Sequence, residues 1–331
     1  MMNSFGAFAV GEIIHLEPTS GWPKKAVHTF SEEQATAILA AKEIGRPLLI
    51  RGEPGCGKTQ MARAAAHVLK MPLALLVVNE RTEAEDLLWK YDALRRLSDA
   101  HNPDQDVEDE SRYLSAGPLW WALDHVSAEE NIGIRSSKPF LGDDFGPDQD
   151  RDEEDQPEEN AKFENGVLLL IDEIDKADRA VPNGLLEVLG NYSFDVPYIK
   201  KRIECRGNQP PLILITTNDE QELPPAFVRR CLVLDIGLPK DETAFIETLS
   251  ARGRGLFPTG FDSTTVYEDI AKQLWEKRRQ ALAQQHSFLP GQAEYLDHLE
   301  AVLAIKRHRP EKEDDIIRSL AELAYQKNRN L

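Results

Sequence analysis

The sequence predicts an α/β fold: a five-stranded parallel sheet flanked by helices, followed by a smaller all-helical domain. Two observations predict it. Short aliphatic runs alternate with helical patterns through the first two thirds of the chain, which is typical of parallel strands joined by crossover helices. Beyond residue 239 the pattern is helical only. The predicted strands are residues 47–50, 73–78, 167–171, 212–216 and 231–236.

Helical patterns fill the spaces between the strands and all of the second domain. The first helix covers residues 31–43, with Ser31 as its N-cap and Gly45 just beyond its end. The others are predicted at residues 60–69, 83–97, 241–250, 266–285, 292–305 and 312–328. This order divides the chain into an N-terminal extension (1–27), an α/β core (28–238) and a helical lid domain (239–331).

The composition fits a packed protein of about two domains and argues against several classes. Of 331 residues, 41% are hydrophobic, and 39 basic against 57 acidic residues give a net charge of −18. Such acidity argues against broad nucleic-acid binding, which needs clustered Lys and Arg. The aliphatic runs are too short to span a membrane, the first residues lack the basic start of a signal peptide, and the three cysteines form no CxxC pair. We therefore expect a cytoplasmic protein.

An acidic segment interrupts the alternation of strands and helices. Residues 141–160 contain ten acidic residues and one base, Arg151, a net charge of −9 that is half of the total. Like-charged segments without aliphatic periodicity are typical of disordered or loose surface loops. We predict an insertion at about residues 126–165, either a tolerated loop or a docking tail for a basic partner.

A glycine-rich motif lies between the first predicted strand and the second helix. It matches GxxxxGK[ST] in full, in the strand–loop–helix context that its chemistry requires. The glycines let backbone N–H groups turn inward around an anion, and the helix N-terminus adds its positive dipole end. Lys58 would reach the β- and γ-phosphates of a nucleotide, and Thr59 would offer a hydroxyl to Mg²⁺. The predicted nucleotide-binding residues are Gly52, Glu53, Pro54, Gly55, Cys56, Gly57, Lys58, Thr59 and Gln60.

Two adjacent acids end the aliphatic strand at residues 167–171. Because side chains alternate along a strand, Asp172 and Glu173 can take different tasks. We expect Asp172 to support Mg²⁺ binding and Glu173 to orient and polarise an attacking water. The alternative, two acids that cap the following helix, is weak beside a complete phosphate-binding motif.

Four motifs together resemble a known family. GEPGCGKT, LLLIDEID, ITTND and LPPAFVRRC follow one another in the order found in AAA+ ATPases, a branch of the P-loop NTPases. The closer resemblance is to the MoxR-type branch, related to dynein-like modules, whose GPL-aromatic segment matches residues 117–120. The resemblance covers roughly residues 28–305 and implies ATP with Mg²⁺ at the carboxyl ends of the strands.

Further site residues are implied by this resemblance. Asn218 matches the position that senses the γ-phosphate, where a neutral amide adds no repulsive charge. Arg230, with Arg229 as its alternative, matches the arginine finger that enters a neighbouring subunit's site. The resemblance therefore implies a homo-oligomeric ring, a hexamer, with Glu173, Asn218, Arg230 and Arg229 as catalytic residues.

The sequence departs from the family pattern in the lid domain. Family members often carry a sensing arginine at the start of a lid helix, whereas residues 288–294 contain none. Either communication between the lid and the γ-phosphate is weak, or Lys277, Arg278 or Arg279 substitutes for the missing arginine.

The resemblance implies a remodelling or chaperone-like ATPase. It further implies a separate protein partner, often one with a von Willebrand factor A domain. The net charge of −18 and the short aliphatic runs argue against direct contact with nucleic acid or a membrane. Two alternatives stay open. One is an ATP-binding assembly switch or scaffold with little hydrolysis, and the other is the ATPase subunit of a nucleic-acid-processing, restriction-like complex.

Overall fold

The structure is a computed structural model. It describes residues 4–19, 22–101, 107–130, 163–206, 210–261, 263, 265–286, 289–306, 317 and 319–320. In this part of the chain the strands are β1 (Ser4–Phe5), β2 (Phe8–Ala9), β3 (Ile13–Leu16), β4 (Ala26–Thr29), β5 (Leu48–Arg51), β6 (Leu73–Val77), β7 (Trp89–Tyr91), β8 (Leu114–Ala116), β9 (Leu168–Asp172), β10 (Ser193–Val196), β11 (Lys201–Glu204), β12 (Leu212–Thr217) and β13 (Leu232–Asp235). The α-helices there are α1 (Glu32–Ile44), α2 (Lys58–Leu69), α3 (Ala84–Leu88), α4 (Ala93–Asp99), α5 (Pro118–Leu123), α6 (His125–Glu130), α7 (Ala180–Gly184), α8 (Leu186–Asn191), α9 (Pro225–Val228), α10 (Glu242–Leu256), α11 (Thr265–Ala283) and α12 (Gln292–Lys306).

Five parallel strands form the central sheet, in the order β13–β5–β12–β9–β6. This confirms the predicted sheet. The middle strand, β12, pairs with β5 on one side and β9 on the other, and all of its residues are buried. In β9, Leu168 and Leu170 join one hydrophobic cluster, whereas Leu169 and Ile171 join another on the opposite face. The sheet is therefore covered on both faces, which is why its strands read as continuous aliphatic runs.

The first helix is confirmed with its predicted caps. Ser31 Oγ accepts a hydrogen bond from the backbone N–H of Gln34, and Gln34 Oε1 accepts one from the N–H of Ser31, both at 3.2 Å. Each side chain thereby satisfies an N–H group that the first turn leaves without a helical partner. At the other end Gly45 has φ 61°, a left-handed conformation in which glycine is not strained.

Helix α2 is buried on several sides. Eight of its twelve residues are buried, among them Ala62, Ala64, Ala65 and Ala66. The antiparallel hairpin β3–β4 packs on α2 and also on α10, so it joins the α/β core to the lid domain. Strand β4 runs across the predicted boundary between residues 27 and 28. The division into extension, core and lid stays a prediction.

The predicted single helix at residues 83–97 is wrong. The chain forms α3, then the short strand β7, then α4. β7 pairs antiparallel with β8, and the Tyr91 ring stacks on that of Tyr198 at a centroid distance of 4.0 Å. Trp89 also packs against Phe194, 5.7 Å between ring centroids. Cross-strand pairing and ring packing with distant residues therefore override the local helical pattern.

Both ends of the predicted insertion at residues 126–165 are ordered, unlike the disordered or loose loop expected there, and its extent stays a prediction. Residues 126–130 belong to α6, and Phe163 is buried with its ring stacked on that of His125 at 4.3 Å. These contacts attach both ends of the segment to the core. Residues 131–162, with the acidic run at 141–160, lie outside the described residues.

Three of the four helices predicted for the lid domain are confirmed as α10, α11 and α12. They share a hydrophobic cluster that includes Phe245, Leu274 and Leu299, all fully buried. The fourth, predicted at residues 312–328, lies almost wholly outside the described residues. In the described part of the chain, no helix combines the length and apolarity that crossing a bilayer requires.

Candidate functional site

The glycine-rich loop leads from the end of β5 into the N-terminus of α2. Gly57 is the N-cap of α2 and has φ 101°, a conformation that residues with a Cβ rarely adopt. Gly52 is restricted by space instead, because a Cβ there would lie 2.2 Å from the carbonyl oxygen of Ile236. The loop can therefore turn tightly and place the N-terminus of α2, with its free N–H groups, at the edge of the sheet.

Lys58 is buried, and neutral oxygen atoms hold its ammonium group. Nζ donates to the carbonyl oxygens of Gly52 at 2.6 Å and Glu53 at 3.0 Å, and to Asn218 Oδ1 at 2.6 Å. No carboxylate of the described residues is within ion-pair distance of this group. A cation satisfied by dipoles alone keeps its charge available for a phosphate group.

Hydroxyl and carboxylate oxygens converge beside Lys58. Thr59 Oγ1 donates to Asp172 Oδ2 at 2.9 Å, and Thr216 Oγ1 donates to Asp172 Oδ1 at 2.6 Å. Oxygen atoms of this kind are the ligands that Mg²⁺ prefers, usually with some of its waters kept. Thr59 and Asp172 therefore fit the metal of a magnesium–nucleotide complex, and Thr216 fixes the orientation of the carboxylate.

Glu173 projects from a constrained turn directly after β9. Its backbone has φ 61° and ψ 49°, and its N–H donates to Thr216 Oγ1 at 2.8 Å. Its carboxylate accepts from Lys176 Nζ at 2.6 Å and from Asn218 Nδ2 at 3.4 Å. The hydrogen bond to Glu173 raises the pKa of Lys176, so the ammonium group of Lys176 stays charged at neutral pH. The side chain of Glu173 is thereby held at the wall of the cleft.

Asp175 is a site residue that the sequence analysis missed. It is 2% exposed, and its Oδ2 accepts hydrogen bonds from the backbone N–H groups of Asn218 at 3.1 Å and Glu220 at 3.0 Å. Asp175 thus fixes the loop that carries Asn218. The available signal was its place in the LLLIDEID motif, three residues after Asp172.

The lid domain closes the other side of the cleft. Gln292, Ala293 and Leu296 of α12 face the phosphate-binding loop across a cavity of about 280 Å³. The loop side of this cavity contains Pro54, Gly55, Gly57, Lys58, Thr59 and Gln60, and the sheet side contains Asp172, Glu173 and Asn218. The structure thus brings together most of the predicted phosphate, metal and catalytic residues.

Two predicted loop residues face away from this cavity. Cys56 is buried, with Sγ 3.9 Å from the carbonyl oxygen of Ile236, and burial raises the pKa of its thiol. Glu53 Oε2 accepts from Arg278 Nη2 at 2.5 Å, and Arg278 Nη1 donates to Pro290 O at 3.1 Å. Of the three cations predicted as substitutes for the missing lid arginine, Arg278 reaches the phosphate-binding loop, but through Glu53.

Arg229 and Arg230 lie at the opposite end of the sheet. Leu232, two residues after Arg230, pairs with Leu48 at the start of β5, whereas the phosphate-binding loop follows the end of β5. Because β5 has four residues, its start lies about 13 Å from the beginning of the phosphate-binding loop. Both arginines are exposed, and Arg46 donates hydrogen bonds to their two carbonyl oxygens. The structure does not bring either arginine to the cleft of its own chain.

Comparison with known proteins identifies the class. Residues 47–231, more than half of the chain, match the model of the AAA domain (dynein-related subfamily). The chain belongs to this family. AAA+ ATPases generally bind ATP with Mg²⁺ at such a motif, between the sheet and the N-terminus of the following helix.

Individual relatives are more distant. Over 78 residues, 24% of this chain, it is 30% identical to the denitrification regulatory protein NirQ of Stutzerimonas stutzeri, and the match spans 28% of that protein. A point mutant of RuvB from Thermotoga maritima superimposes with a TM-score of 0.50 at 15% identity, covering 88% of this chain and 68% of that RuvB chain. At that identity the likeness to RuvB shows a shared fold alone.

Proposed function

We propose that this chain is a MoxR-type AAA+ ATPase that hydrolyses magnesium–ATP at the subunit interfaces of a ring to remodel a protein partner. One observation carries the proposal. Lys58, Asp172, Glu173 and Asn218, from three segments of the chain, meet at one cleft beside the N-terminus of α2. A cation, a metal-binding carboxylate, a water-polarising carboxylate and an amide are the groups that phosphoryl transfer to water requires.

Each group has a task in this proposal. Lys58 binds the β- and γ-phosphates, and Thr59 with Asp172 would hold Mg²⁺, which neutralises phosphate charge when bound. Glu173 orients the attacking water and accepts its proton. Asn218 lies between Lys58 and Glu173, so its Nδ2 group can donate to the water or the γ-phosphate without adding negative charge.

The site needs a further cation from outside the chain. Transferring a phosphoryl group builds charge that an arginine stabilises, and neither Arg229 nor Arg230 lies near the cleft of its own chain. Both are exposed at the end of the sheet opposite the phosphate-binding loop, where the cleft of a neighbouring subunit could receive them. We therefore propose a homo-oligomeric ring, a hexamer, in which Arg230 or Arg229 completes the adjacent site.

The client of the ring would be another protein. The net charge of −18 disfavours direct contact with nucleic acid and favours a partner with a basic surface. The MoxR-type resemblance makes a partner with a von Willebrand factor A domain the first one to test. Co-purification of such a partner with the intact chain, dependent on ATP, is the expected result.

An ATP-binding assembly switch is a second candidate, and one observation favours it. Glu173 is already paired with Lys176 at 2.6 Å, which leaves its carboxylate less free to accept a proton from water. If this pair persists in the assembled ring, the protein binds ATP and turns it over slowly. Lys176→Ala then raises the hydrolysis rate, whereas in a competent motor it leaves the rate unchanged or lowers it.

Steady-state ATP hydrolysis as a function of protein concentration tests the proposal. Specific activity should rise with concentration, Lys58→Ala should lose ATP binding, and Glu173→Gln should bind ATP without turnover. Arg230→Ala and Arg229→Ala are matched controls for each other, because one of them should lose hydrolysis and keep binding. ATP binding with turnover no faster than that of Glu173→Gln at any concentration would refute the motor and leave the switch.

A further inference from the structure

The two arginines proposed to complete a neighbouring cleft follow a very short helix. Helix α9 (Pro225–Val228) has four residues, and Arg229 is its C-cap. The last carbonyl groups of a helix have no partner within it, and helix ends fray unless another group holds them. The positions of Arg229 and Arg230 therefore depend on what fixes the turn between α9 and β13.

Arg46 holds this turn from outside the helix. Its Nε donates to the carbonyl oxygen of Arg230 at 3.1 Å, and its Nη2 donates to the carbonyl oxygen of Arg229. These two nitrogens form one edge of the planar guanidinium, so a single rigid group binds two successive peptide groups. Because the contact uses the backbone of Arg229 and Arg230, it leaves their own guanidinium groups available for an anion.

The backbone of Arg46 is itself fixed by its neighbours in the fold. Its N–H donates to the carbonyl oxygen of Ala41, near the end of α1, at 3.1 Å. The carbonyl oxygen of the next residue, Pro47, accepts from the N–H of Leu232 at 2.8 Å, where β5 and β13 begin to pair. The guanidinium of Arg46 and the turn that it binds are therefore both attached to the same end of the sheet.

We propose that Arg46 is a positioning residue for the arginine that enters the cleft of the adjacent subunit. The inference rests on the proposed ring and adds to it the residue that orients the shared cation. Arg46 binds the carbonyl groups of both Arg229 and Arg230, so its role is the same for whichever of them enters the cleft. The effect on the rate should be large, because a catalytic group that is misplaced by about 1 Å can lose about a hundredfold in rate.

Arg46→Met keeps most of the apolar stem and removes the fork of donors. It should lower kcat for ATP hydrolysis about ten- to one-hundredfold. KM and the affinity for magnesium–ATP should not change, because Arg46 precedes β5 and its own phosphate-binding loop follows the other end of that strand. Arg46→Lys keeps the charge without the planar fork, so it should lower kcat nearly as much. Arg254→Met is the matched control: Arg254 is exposed, pairs with Glu268 at 3.6 Å in the lid domain, and its loss should leave kcat unchanged.

Mixed rings separate positioning from a general loss of structure. Glu173→Gln chains have an inactive cleft and a normal turn, whereas Arg46→Met chains have a normal cleft and a loosened turn. The two are mixed below the concentration at which they assemble and are then concentrated together. An arginine of a Glu173→Gln chain can then complete the cleft of an adjacent Arg46→Met chain. Hydrolysis by the equal mixture should exceed the sum of the two separate rates several-fold, as it should when Arg229→Ala or Arg230→Ala, whichever loses hydrolysis, takes the place of Arg46→Met.

Two results would overturn the inference. One is a kcat of Arg46→Met equal to that of Arg254→Met. The other is a mixture of Arg46→Met with Glu173→Gln that stays inactive while the parallel mixture with the alanine variant recovers, because Arg46 then only supports the fold of its own chain. Failure of the proposed function gives a different result: neither Arg229→Ala nor Arg230→Ala loses hydrolysis, and the shared arginine is refuted whatever the rate of Arg46→Met.

Discussion

The ion pair between Arg278 and Glu53 should contribute measurably to stability, because it connects the lid domain to the phosphate-binding loop. The perturbation is a double-mutant cycle with Arg278→Met, Glu53→Gln and the combined variant. Met keeps the apolar stem of the arginine, and Gln keeps the shape of the glutamate. The hydrogen bond from Arg278 to Pro290 O does not contribute to the coupling free energy, because Arg278→Met loses it both with Glu53 and with Gln at position 53.

The structure sets the expected size of the coupling. Arg278 Nη2 and Glu53 Oε2 are 2.5 Å apart, and the arginine side chain is 11% exposed, whereas the glutamate side chain is 44% exposed. A hydrogen bond between charged groups contributes about 1.5–3 kcal/mol. Because solvent screens the exposed partner, we expect the lower part of that range, about 1.5–2 kcal/mol.

A second cycle on the same domain is the control. Arg254 and Glu268 are 3.6 Å apart with side chains 40% and 46% exposed, so their coupling should be about 0–0.5 kcal/mol. Urea-induced unfolding followed by circular dichroism gives the free energies of unfolding. Trp275, on the same helix as Arg278, reports on the lid by fluorescence. A coupling between Arg278 and Glu53 no larger than that of the control pair would refute the reasoning.

Two further predictions concern the fold. Burial lowers the pKa of His28 to about 4, so acidification from pH 7 to pH 5 protonates this imidazole in the unfolded chain but not in the folded one. The free energy of unfolding should therefore fall by about 2 kcal/mol through this group. Urea denaturation at both pH values measures the loss, which should be absent in His28→Gln. Above about pH 7.5, where the imidazole is neutral in the folded and in the unfolded chain, the two proteins should show the same pH dependence. Gly117→Ala should lower the free energy of unfolding by more than about 2 kcal/mol, because its Cβ would lie 2.5 Å from the backbone of Leu87 in α3. Gly237→Ala, with no atom within 4 Å of the new Cβ, is the control, and equal urea midpoints for the two glycine variants would contradict this assignment.

Local chemistry explains what could be predicted from the sequence. The capping side chains Ser31 and Gln34 lie three residues apart, and the phosphate-binding loop is one continuous motif. Asp172 follows a strand whose aliphatic run reflects burial on both faces of a parallel sheet. In the first two cases the interacting groups are close in sequence. In the third, the run of aliphatic residues directly indicates a strand that is buried on both faces.

The errors and omissions involve residues that are distant in sequence. Residues 89–91 have a locally helical pattern, and their strand forms by pairing with β8, more than twenty residues later. Glu53 and Arg278 are 225 positions apart, so no local pattern indicates their ion pair. Gln292 lies in the stretch at residues 288–294, where the sequence shows only that an arginine is missing. Its position on the wall of the cleft depends on how the lid domain packs.

The burial of α2 has a consequence for how this protein can be divided. The family match begins at residue 47, yet the apolar surface of α2 is covered in part by β3 and β4, which precede that point. Phe8, Leu16 and Phe30 belong to the same hydrophobic cluster as the alanines of α2. A chain shortened to the matched residues would therefore expose an apolar surface along α2, and we expect it to aggregate. The family match at residues 47–231 therefore leaves out residues that the hydrophobic core around α2 requires.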